Sequence, residues 1–574
     1  MRLRAGGCKE RKNYILMIGP RRKLCYLAVG FLSFSVISVA QSLPAQTHHV
    51  RDAVRTGAAQ FLGNLPANTT MQLDIVLPLK DPAGLDAFLA GVYNPASRLY
   101  RHFLTPADFS ALFGPTQAQY NAVLRFASAN GFQVVGGTQQ SMDVQVTASA
   151  SAVEQAFHIR MGSYRHPIEN RTFYSPDSEP RADLPFALWH ISGLDNYSIP
   201  RPLFVSRTEV AKSLGVDPAS LVSHAITGSG PSKSFLGSDM RAAYYGGTLD
   251  GAGQNLGLFE FQGTDLADVN TYFQNVGQTN SVPITLLSVD GTSTSCLHSV
   301  RRCDDTEPTL DITQAIGMAP GLSSLVVYIG SSDVAILGAM TTHSPLPLTI
   351  GCSWGWSPAD PGALDPYFKR MASQGQTFFA ASGDNSTWTR RNFEWPADDQ
   401  NVVTVGGTDL ITSGAAGPWA SETAWSDSGG GISTNSIAIP SYQQIPGVIN
   451  ASNRGSTRLR NGPDVAANAN FTFYVCANQT ACTANVYGGT SFAAPMWAGY
   501  IALANQQAAT SGKGPIGFLN PAIYAQNVTP TNYQADFHDI TTGTSGKYAA
   551  VPGYDLVTGW GSPTAALIDA LQPQ

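Results

Sequence analysis

At 574 residues the chain exceeds the size at which a single hydrophobic core keeps growing, so several domains, or one large domain with attachments, are expected. Hydrophobic residues make up 43% and charged residues only 13%, with a formal net charge of -6. A full core is available, whereas no basic stripe exists to displace counterions along a nucleic-acid backbone, so nucleic acid is excluded as a partner.

Arg2, Arg4, Lys9, Arg11, Lys12, Arg21, Arg22 and Lys23 precede an apolar run over 24–39 that closes on Ser38-Val39-Ala40. Basic residues, a short apolar run and small residues at its end read as a secretory signal cut after Ala40. Met17 offers a second start with a more ordinary basic lead. As an uncleaved anchor the run is short of a comfortable span. The mature protein is therefore expected to be secreted and free of the membrane once the signal is gone.

From Met71 to Leu79 apolar residues alternate at Met71, Leu73, Ile75 and Leu77, the period of a half-buried strand. Helical patterns follow over 84–92, over 106–112 behind Thr105 and over 117–129 behind Thr116, both threonines being good caps. Strand-like stretches at 132–135 and 142–146 then precede a helix near 152–157. That order suggests a small ferredoxin-like α+β domain. Residues 200–234 lack steady periodicity and contain Thr227-Gly-Ser-Gly-Pro231, as an exposed linker would. Beyond them, apolar strands over 256–261, 325–329, 348–352, 377–381 and 402–405 alternate with helical stretches such as 363–371. Such strands belong to a parallel sheet covered on both faces.

Seven cysteines are present, and Cys8 and Cys25 would leave with the signal. In an exported chain the neighbours Cys296 and Cys303, and Cys476 and Cys482, are expected to form two short-loop disulfides. Cys352, in an apolar run, is expected to be a buried, inert thiol.

The sharpest local signal is Gly488-Gly-Thr-Ser-Phe-Ala-Ala-Pro495, which leads into the alanine-rich stretch 496–504. A serine entering a helix from a glycine turn exposes its hydroxyl and aims its backbone N–H at an incoming oxyanion, as acyl transfer requires. A plain helix cap would not need the Gly-Thr-Ser-x-x-x-Pro spacing. Such a nucleophile needs a base, yet the histidines beyond the linker are His298, His343 and His538, none in a His-Gly-Thr context. In place of a histidine stands Glu307-Pro-Thr-Leu-Asp311, where Pro308 suits a first helical turn and the i, i+4 spacing sets both carboxylates on one face. Alone it would be a solvated helix start. Asp384, in Ala381-Ser-Gly-Asp384 directly after an apolar strand, lies where α/β folds build their sites; alone it would be a turn aspartate.

Together these residues resemble the sedolisin (serine-carboxyl peptidase) family, which includes kumamolisins and tripeptidyl peptidases. The resemblance extends to Arg101-His-Phe-Leu-Thr-Pro106, Phe113-Gly-Pro115, Leu258-Phe-Glu-Phe261, Ser353-Trp-Gly355, Ser428-Gly-Gly-Gly431 and Pro463-Asp-Val465. It implies an α/β fold, a subtilisin-like parallel sheet flanked by helices, preceded by an α+β ferredoxin-like propeptide. The implied order is a signal over 1–40, an inhibitory propeptide over 41–199, an activation linker over 200–234 and a peptidase domain over 235–574. By the same resemblance Ser491 is the nucleophile, Glu307 its general base and then acid, Asp311 the group orienting Glu307, and Asp384 the oxyanion partner. A carboxylate can accept the serine proton, but only a protonated Asp384 can donate to an oxyanion. Free aspartate and glutamate have pKa values of about 3.9 and 4.3, so one ionised and one neutral acid coexist in acidic solution. Acid-dependent cleavage of protein or peptide substrates is expected, with acidification also loosening carboxylate contacts that hold the propeptide.

Near the C-terminus the resemblance implies one Ca2+, held by the side chains of Asp539 and Asp555 and the carbonyls of Ile540, Val551 and Gly553. Val551 stands where the family usually has glycine. Two other readings remain at this level: a tripeptidyl exopeptidase of the same family, and a non-catalytic relative that binds calcium and peptides. The intact set Ser491, Glu307, Asp311 and Asp384 speaks against the second.

Overall fold

Thr105 and Thr116 start helices as predicted. Each hydroxyl accepts the N–H three residues on, while Asp108 and Gln119 accept the threonine N–H in return. The computed structural model describes residues 42–572 apart from 222–225, 302, 357–360 and 390–394, so the signal read over 1–40 lies outside the described residues.

The N-terminal half contains β1 (Gln60–Asn64), β2 (Thr70–Val76), α1 (Pro82–Val92), α2 (Pro106–Leu112), α3 (Gln117–Ala129), β3 (Gln133–Gly136), β4 (Asp143–Ser149), α4 (Ala150–Phe157), β5 (Met161–Arg165), β6 (Thr172–Pro176) and β7 (His190–Ser192). The antiparallel sheet runs β3–β4–β2–β7, which places the first of its four strands between the third and the last, the ferredoxin-like order. A second sheet, β1–β5–β6, has no counterpart in the sequence reading. Glycines at 63 and 162 interrupt its alternation and erase the strand signal.

Residues 200–234 are not the exposed coil expected of them. They include β8 (Arg201–Pro202), β9 (Val205–Ser206) and α5 (Arg207–Leu214), and Leu203 is buried. The strands are two residues long, too short for any periodicity to register.

The C-terminal half builds β10 (Asn255–Glu260), β11 (Ile284–Ser288), α6 (Thr306–Met318), β12 (Ser324–Ile329), β13 (Thr349–Cys352), β14 (Trp354–Gly355), α7 (Pro361–Ser373), β15 (Thr377–Ala381), β16 (Val403–Thr412), β17 (Trp419–Ala424), β18 (Val465–Asn468), β19 (Tyr487–Gly488) and α8 (Thr490–Thr510). The main sheet runs β11–β12–β10–β13–β15–β16–β17, with β18 also beside β16; every pairing except β16–β17 is parallel. Leu256, Leu258, Val327 and Phe379 pack toward α6 and α8 on one face, and Phe259, Tyr328, Ile350 and Phe378 toward α7 on the other. The chain leaves β10 toward one edge and resumes at β13 on the other side, so the carboxyl ends of β10 and β13 flank a topological switch point. Disulfides Cys296–Cys303 and Cys476–Cys482 form as expected, and Cys352 is free and buried, its thiol pushed up by burial. Among the described residues no helix is long and apolar enough to cross a membrane.

The two halves share a core: Leu85, Phe109, Phe113 and Met142 pack with Leu337, Met340, Leu364 and Tyr367. The Arg101-His-Phe-Leu-Thr-Pro106 motif docks here. Leu104 N–H donates to Ser373 O at 2.9 Å, and Arg101 Nη1 to Leu571 O at 3.0 Å. The Phe103 ring fills a notch between Gly375 and Gly517, where a Cβ would come within 2.7 Å and 2.2 Å of it. Phe103→Ala, made in the Ser491→Ala background to prevent the self-cutting expected from the sequence, should destabilise this junction by about 3 kcal/mol, since it empties an apolar notch. Limited proteolysis by an added protease should then strip the N-terminal half faster than from the parent; equal rates would assign the junction to other contacts.

Carboxylates at this junction are of two kinds: Asp86 on α1 pairs with Lys369 Nζ on α7 at 2.9 Å, a contact of the sort acid loosens, whereas three others are buried. Asp74 on β2 is held well above the ordinary range by burial and by Asp143, Asp290 and Asp333, against a hydrogen bond from Ser332. Burial also lifts Asp143 and Asp333 to about 6. A carboxyl whose pKa is raised on docking binds its proton more tightly when docked. Its contribution is complete below the ordinary carboxylate range and is lost as pH rises from there through the raised pKa, about 6 for Asp143 and Asp333. By that sign Asp74, Asp143 and Asp333 favour the folded, docked state in acid, against the Asp86–Lys369 pair.

Candidate active site

Four chain segments bring carboxyls and a serine to the carboxyl ends of β10, β13 and β15. Ser491 is the second residue of α8 and fully buried. Pro495 has no N–H to return to the Ser491 carbonyl, which instead accepts from Ser353 Oγ at 3.2 Å. Glu307 and Asp311 stand one turn apart on α6, both fully buried. The start of α6 is fixed by the disulfide loops, because Asp305 N–H donates to Asn478 Oδ1 at 3.0 Å and Asn478 N–H to Asp305 Oδ1 at 2.7 Å.

The four residues singled out in the sequence therefore converge. The Ser491 hydroxyl lies close enough to Glu307 to lower its pKa, yet short of a well-formed hydrogen bond, a common state before substrate tightens the site. Asp311 Oδ1 accepts from Ser353 Oγ at 2.7 Å. Asp384 Oδ1 accepts both Thr490 N–H and Thr490 Oγ1–H at 2.8 Å, and Thr490 Oγ1 accepts Gly383 N–H at 3.1 Å. The histidines are engaged elsewhere: His343 packs on Tyr328, His538 stacks on Trp419, and His298 meets the Cys303 carbonyl.

One more carboxyl belongs to the cluster. Glu260 ends β10, fully buried, with Trp354 Nε1–H donating to its Oε2 at 2.7 Å. Its other oxygen and Asp311 Oδ2 have no hydrogen-bond donor, and the two carboxyls are close enough to shift each other's ionisation. The only sequence signal was an acid within the strand-end motif Leu258-Phe-Glu-Phe261. Burial raises Glu260 and Glu307 well above their ordinary values, helped by the neighbouring carboxylates, and pushes Asp311 up to about 8. Besides burial, neighbouring carboxylates are the main groups that raise Glu260 and Glu307, so one negative charge in the cluster opposes a second.

A strand of the chain itself crosses this cluster. β8 pairs antiparallel with β14, Leu203 N–H donates to Ser353 O at 2.9 Å, and Ser491 N–H donates to Leu203 O at 3.2 Å. Downstream, β9 pairs antiparallel with β19. Gly489, at φ 143°, makes room for this: a Cβ there would lie 2.5 Å from Leu203 O and 2.6 Å from Asp384 Oδ2. The Leu203 carbonyl and the Asp384 carboxyl thus face the same small space.

The chain is similar to known proteins along most of its length. Residues 58–196 match the family model of the pro-kumamolisin activation domain, and residues 349–522 that of the subtilase family. Kumamolisin of Bacillus sp. (strain MN-32) is 31% identical over 551 residues, covering 90% of this chain and 95% of the relative. The chain belongs to the kumamolisin–sedolisin family of serine-carboxyl peptidases. Sedolisin of Pseudomonas sp. (strain 101) is 27% identical, covering 90% of this chain and 89% of its own. The solved Pseudomonas sedolisin complexed with two molecules of pseudo-iodotyrostatin matches with a TM-score of 0.50 at 24% identity, over 60% of this chain and 98% of that one, a likeness in fold. This sedolisin-family member is accordingly a serine-type peptidase with an activation domain and a subtilisin-like fold.

The residues read as calcium ligands lie together away from the carboxyl cluster. Asp555 is buried, its pKa lifted to about 7 by burial, and its carboxylate accepts Val551, Val557 and Thr558 N–H groups. Asp539, at the surface, accepts the Tyr533 hydroxyl at 2.9 Å and Gly553 N–H at 3.2 Å. Among the described residues the carbonyls of Ile540, Val551 and Gly553 accept no hydrogen bond, and no basic side chain pairs with either acid. Val551 is not in the left-handed region, so valine costs nothing there. Hard carboxylates and open carbonyls without a competing cation fit Ca2+.

Proposed function

We propose that this peptidase is a secreted, acid-active endopeptidase made as a self-inhibited precursor, with the N-terminal half as the inhibitory propeptide. Ser491 attacks the peptide carbonyl, and Glu307 takes the serine proton and returns it to the leaving amine. Asp311, tied to Ser353 and close to Glu260, orients Glu307 and sets where it ionises. The Ser491 N–H and a protonated Asp384 receive the oxyanion. Glu307 can serve as base only when it carries the cluster's charge while its neighbours remain protonated, and Asp384 must be neutral. Both conditions favour acid.

The observation carrying the endopeptidase reading is the path of residues 200–207 through the cleft. Leu203 presents its carbonyl to the Ser491 N–H, and upstream of Arg201 the chain continues through Pro200 and Ile199 into β7. A tripeptidyl exopeptidase must end the cleft at the third residue before the bond; here a fourth and further residues follow. Mass-spectrometric mapping of products from a mixed peptide library should therefore show internal cuts. Released tripeptides alone would favour the exopeptidase.

The calcium reading belongs to the same proposal, with Asp539, Asp555 and the carbonyls of Ile540, Val551 and Gly553 as ligands. When bound, Ca2+ would supply positive charge that keeps the buried Asp555 ionised and ties its loop to the segment carrying Asp539. Chelation should lower the melting temperature by several degrees, since an ion at a hundredfold excess over its Kd adds about 2.7 kcal/mol to the native state. An unchanged melting temperature, with no calcium by elemental analysis, would remove the ion from the account.

A further inference from the structure

We propose that the Leu203–Phe204 peptide bond is the first bond this enzyme cuts, within its own chain, and that the two subsites holding it define a preference for an aliphatic residue before the cut and an aromatic residue after it. The inference rests on the peptidase reading above and deepens it.

Three backbone contacts set the register. Arg201 and Pro202 lie opposite Gly355 and Trp354, Leu203 N–H donates to Ser353 O, and the Leu203 carbonyl takes the Ser491 N–H at 3.2 Å. Of the carbonyls in this segment, Leu203's is the one that faces both this N–H and the Asp384 carboxyl. On the far side Val205 and Ser206 lie opposite Gly488 and Tyr487, and Arg207 N–H donates to Val486 O at 2.8 Å. The chain is thus held on both sides of one peptide bond, as a substrate has to be for attack on its carbonyl carbon.

The side chains fit the same register. Leu203 is 4% exposed and belongs to the main apolar core. The Phe204 ring meets the Tyr487 ring edge to face, with centroids 5.6 Å apart. A charged residue at 203 would be desolvated without a partner, whereas Leu203 is already seated.

The step balances with water as co-reactant. Ser491 Oγ bonds to the Leu203 carbonyl carbon as its proton passes to Glu307. The Leu203–Phe204 C–N bond breaks, and that proton goes to the Phe204 nitrogen. Water then attacks the acyl-enzyme, giving one proton to Glu307, which returns it to Ser491 Oγ as Leu203 leaves as a carboxylic acid that ionises in solvent according to pH.

The test is to purify the full precursor near neutral pH, acidify it at several protein concentrations, and follow new termini by intact mass and N-terminal sequencing, with casein hydrolysis in parallel. The first new N-terminus should be Phe204, appearing at a first-order rate independent of concentration. Leu203→Asp should slow that cut by at least about tenfold. A synthetic peptide spanning residues 199–208, incubated with mature enzyme, should be cut between its leucine and phenylalanine, a readout independent of how the variant folds. A first terminus elsewhere, with casein hydrolysed, would overturn this assignment and leave the peptidase reading standing. No cut anywhere and no casein hydrolysis would overturn both.

Discussion

Ser491→Ala should leave the acidified precursor uncut and reduce peptide hydrolysis by at least about 10⁴-fold, because residues that act as one catalytic unit lose nearly everything when the nucleophile goes. The structure makes the expectation specific. Ser491 is the hydroxyl beside Glu307, and neighbouring hydroxyls are committed elsewhere, Ser353 to Asp311 and the Ser491 carbonyl and Thr490 to Asp384. The Ser491 N–H that meets Leu203 O comes from the backbone and survives the substitution, so the linker should stay seated. The variant is therefore expected to be a stable, occupied precursor. Maturation of that variant in acid without added protease would show that another group performs the attack.

Asp384→Asn should separate donating a hydrogen bond from carrying a titratable proton. Asn Oδ1 can still accept Thr490 N–H and Oγ1–H, as Asp384 Oδ1 does at 2.8 Å, leaving Nδ2 to face the space shared with Leu203 O. An amide donates at every pH, whereas the wild type loses its donor when Asp384 ionises. The variant is expected to keep part of its activity and to decline less steeply as pH rises. Asp384→Ala, with no donor, should lose about 10² to 10³ in kcat. Equal loss in both variants, with unchanged pH profiles, would take Asp384 out of the oxyanion role.

How far the sequence reached depended on whether a signal was local. The capping boxes at Thr105 and Thr116, the alternation of Met71, Leu73 and Ile75, and the apolar strands of the main sheet lie within one element each, and they formed where read. Glu307 and Asp311 were legible because a single helical turn relates them. Glu260 was not, because its partners Asp311 and Trp354 come from other strands and helices and meet it only once β10 and β13 are neighbours. The seating of Leu203 was hidden for a similar reason: β8 and β9 are defined by the enzyme residues they pair with, not by a pattern of their own. The direction of the acid effect at Asp74 needed burial to be seen, since a carboxylate enclosed among Asp143, Asp290 and Asp333 responds to pH oppositely to one paired with a base.

In the mechanism proposed above, a carboxylate base, ionised within a cluster that otherwise keeps its protons, drives serine attack in acid. The most direct measurement of that step is casein hydrolysis by the matured enzyme from about pH 3 to pH 8, beside a Glu307→Gln variant that keeps the shape of the side chain but cannot take the proton. The account predicts wild-type activity that peaks in acid and fades toward neutrality, and a variant slower by at least about 10³-fold throughout. Undiminished wild-type hydrolysis at pH 8, or a Glu307→Gln enzyme that hydrolyses casein as the wild type does, would contradict it.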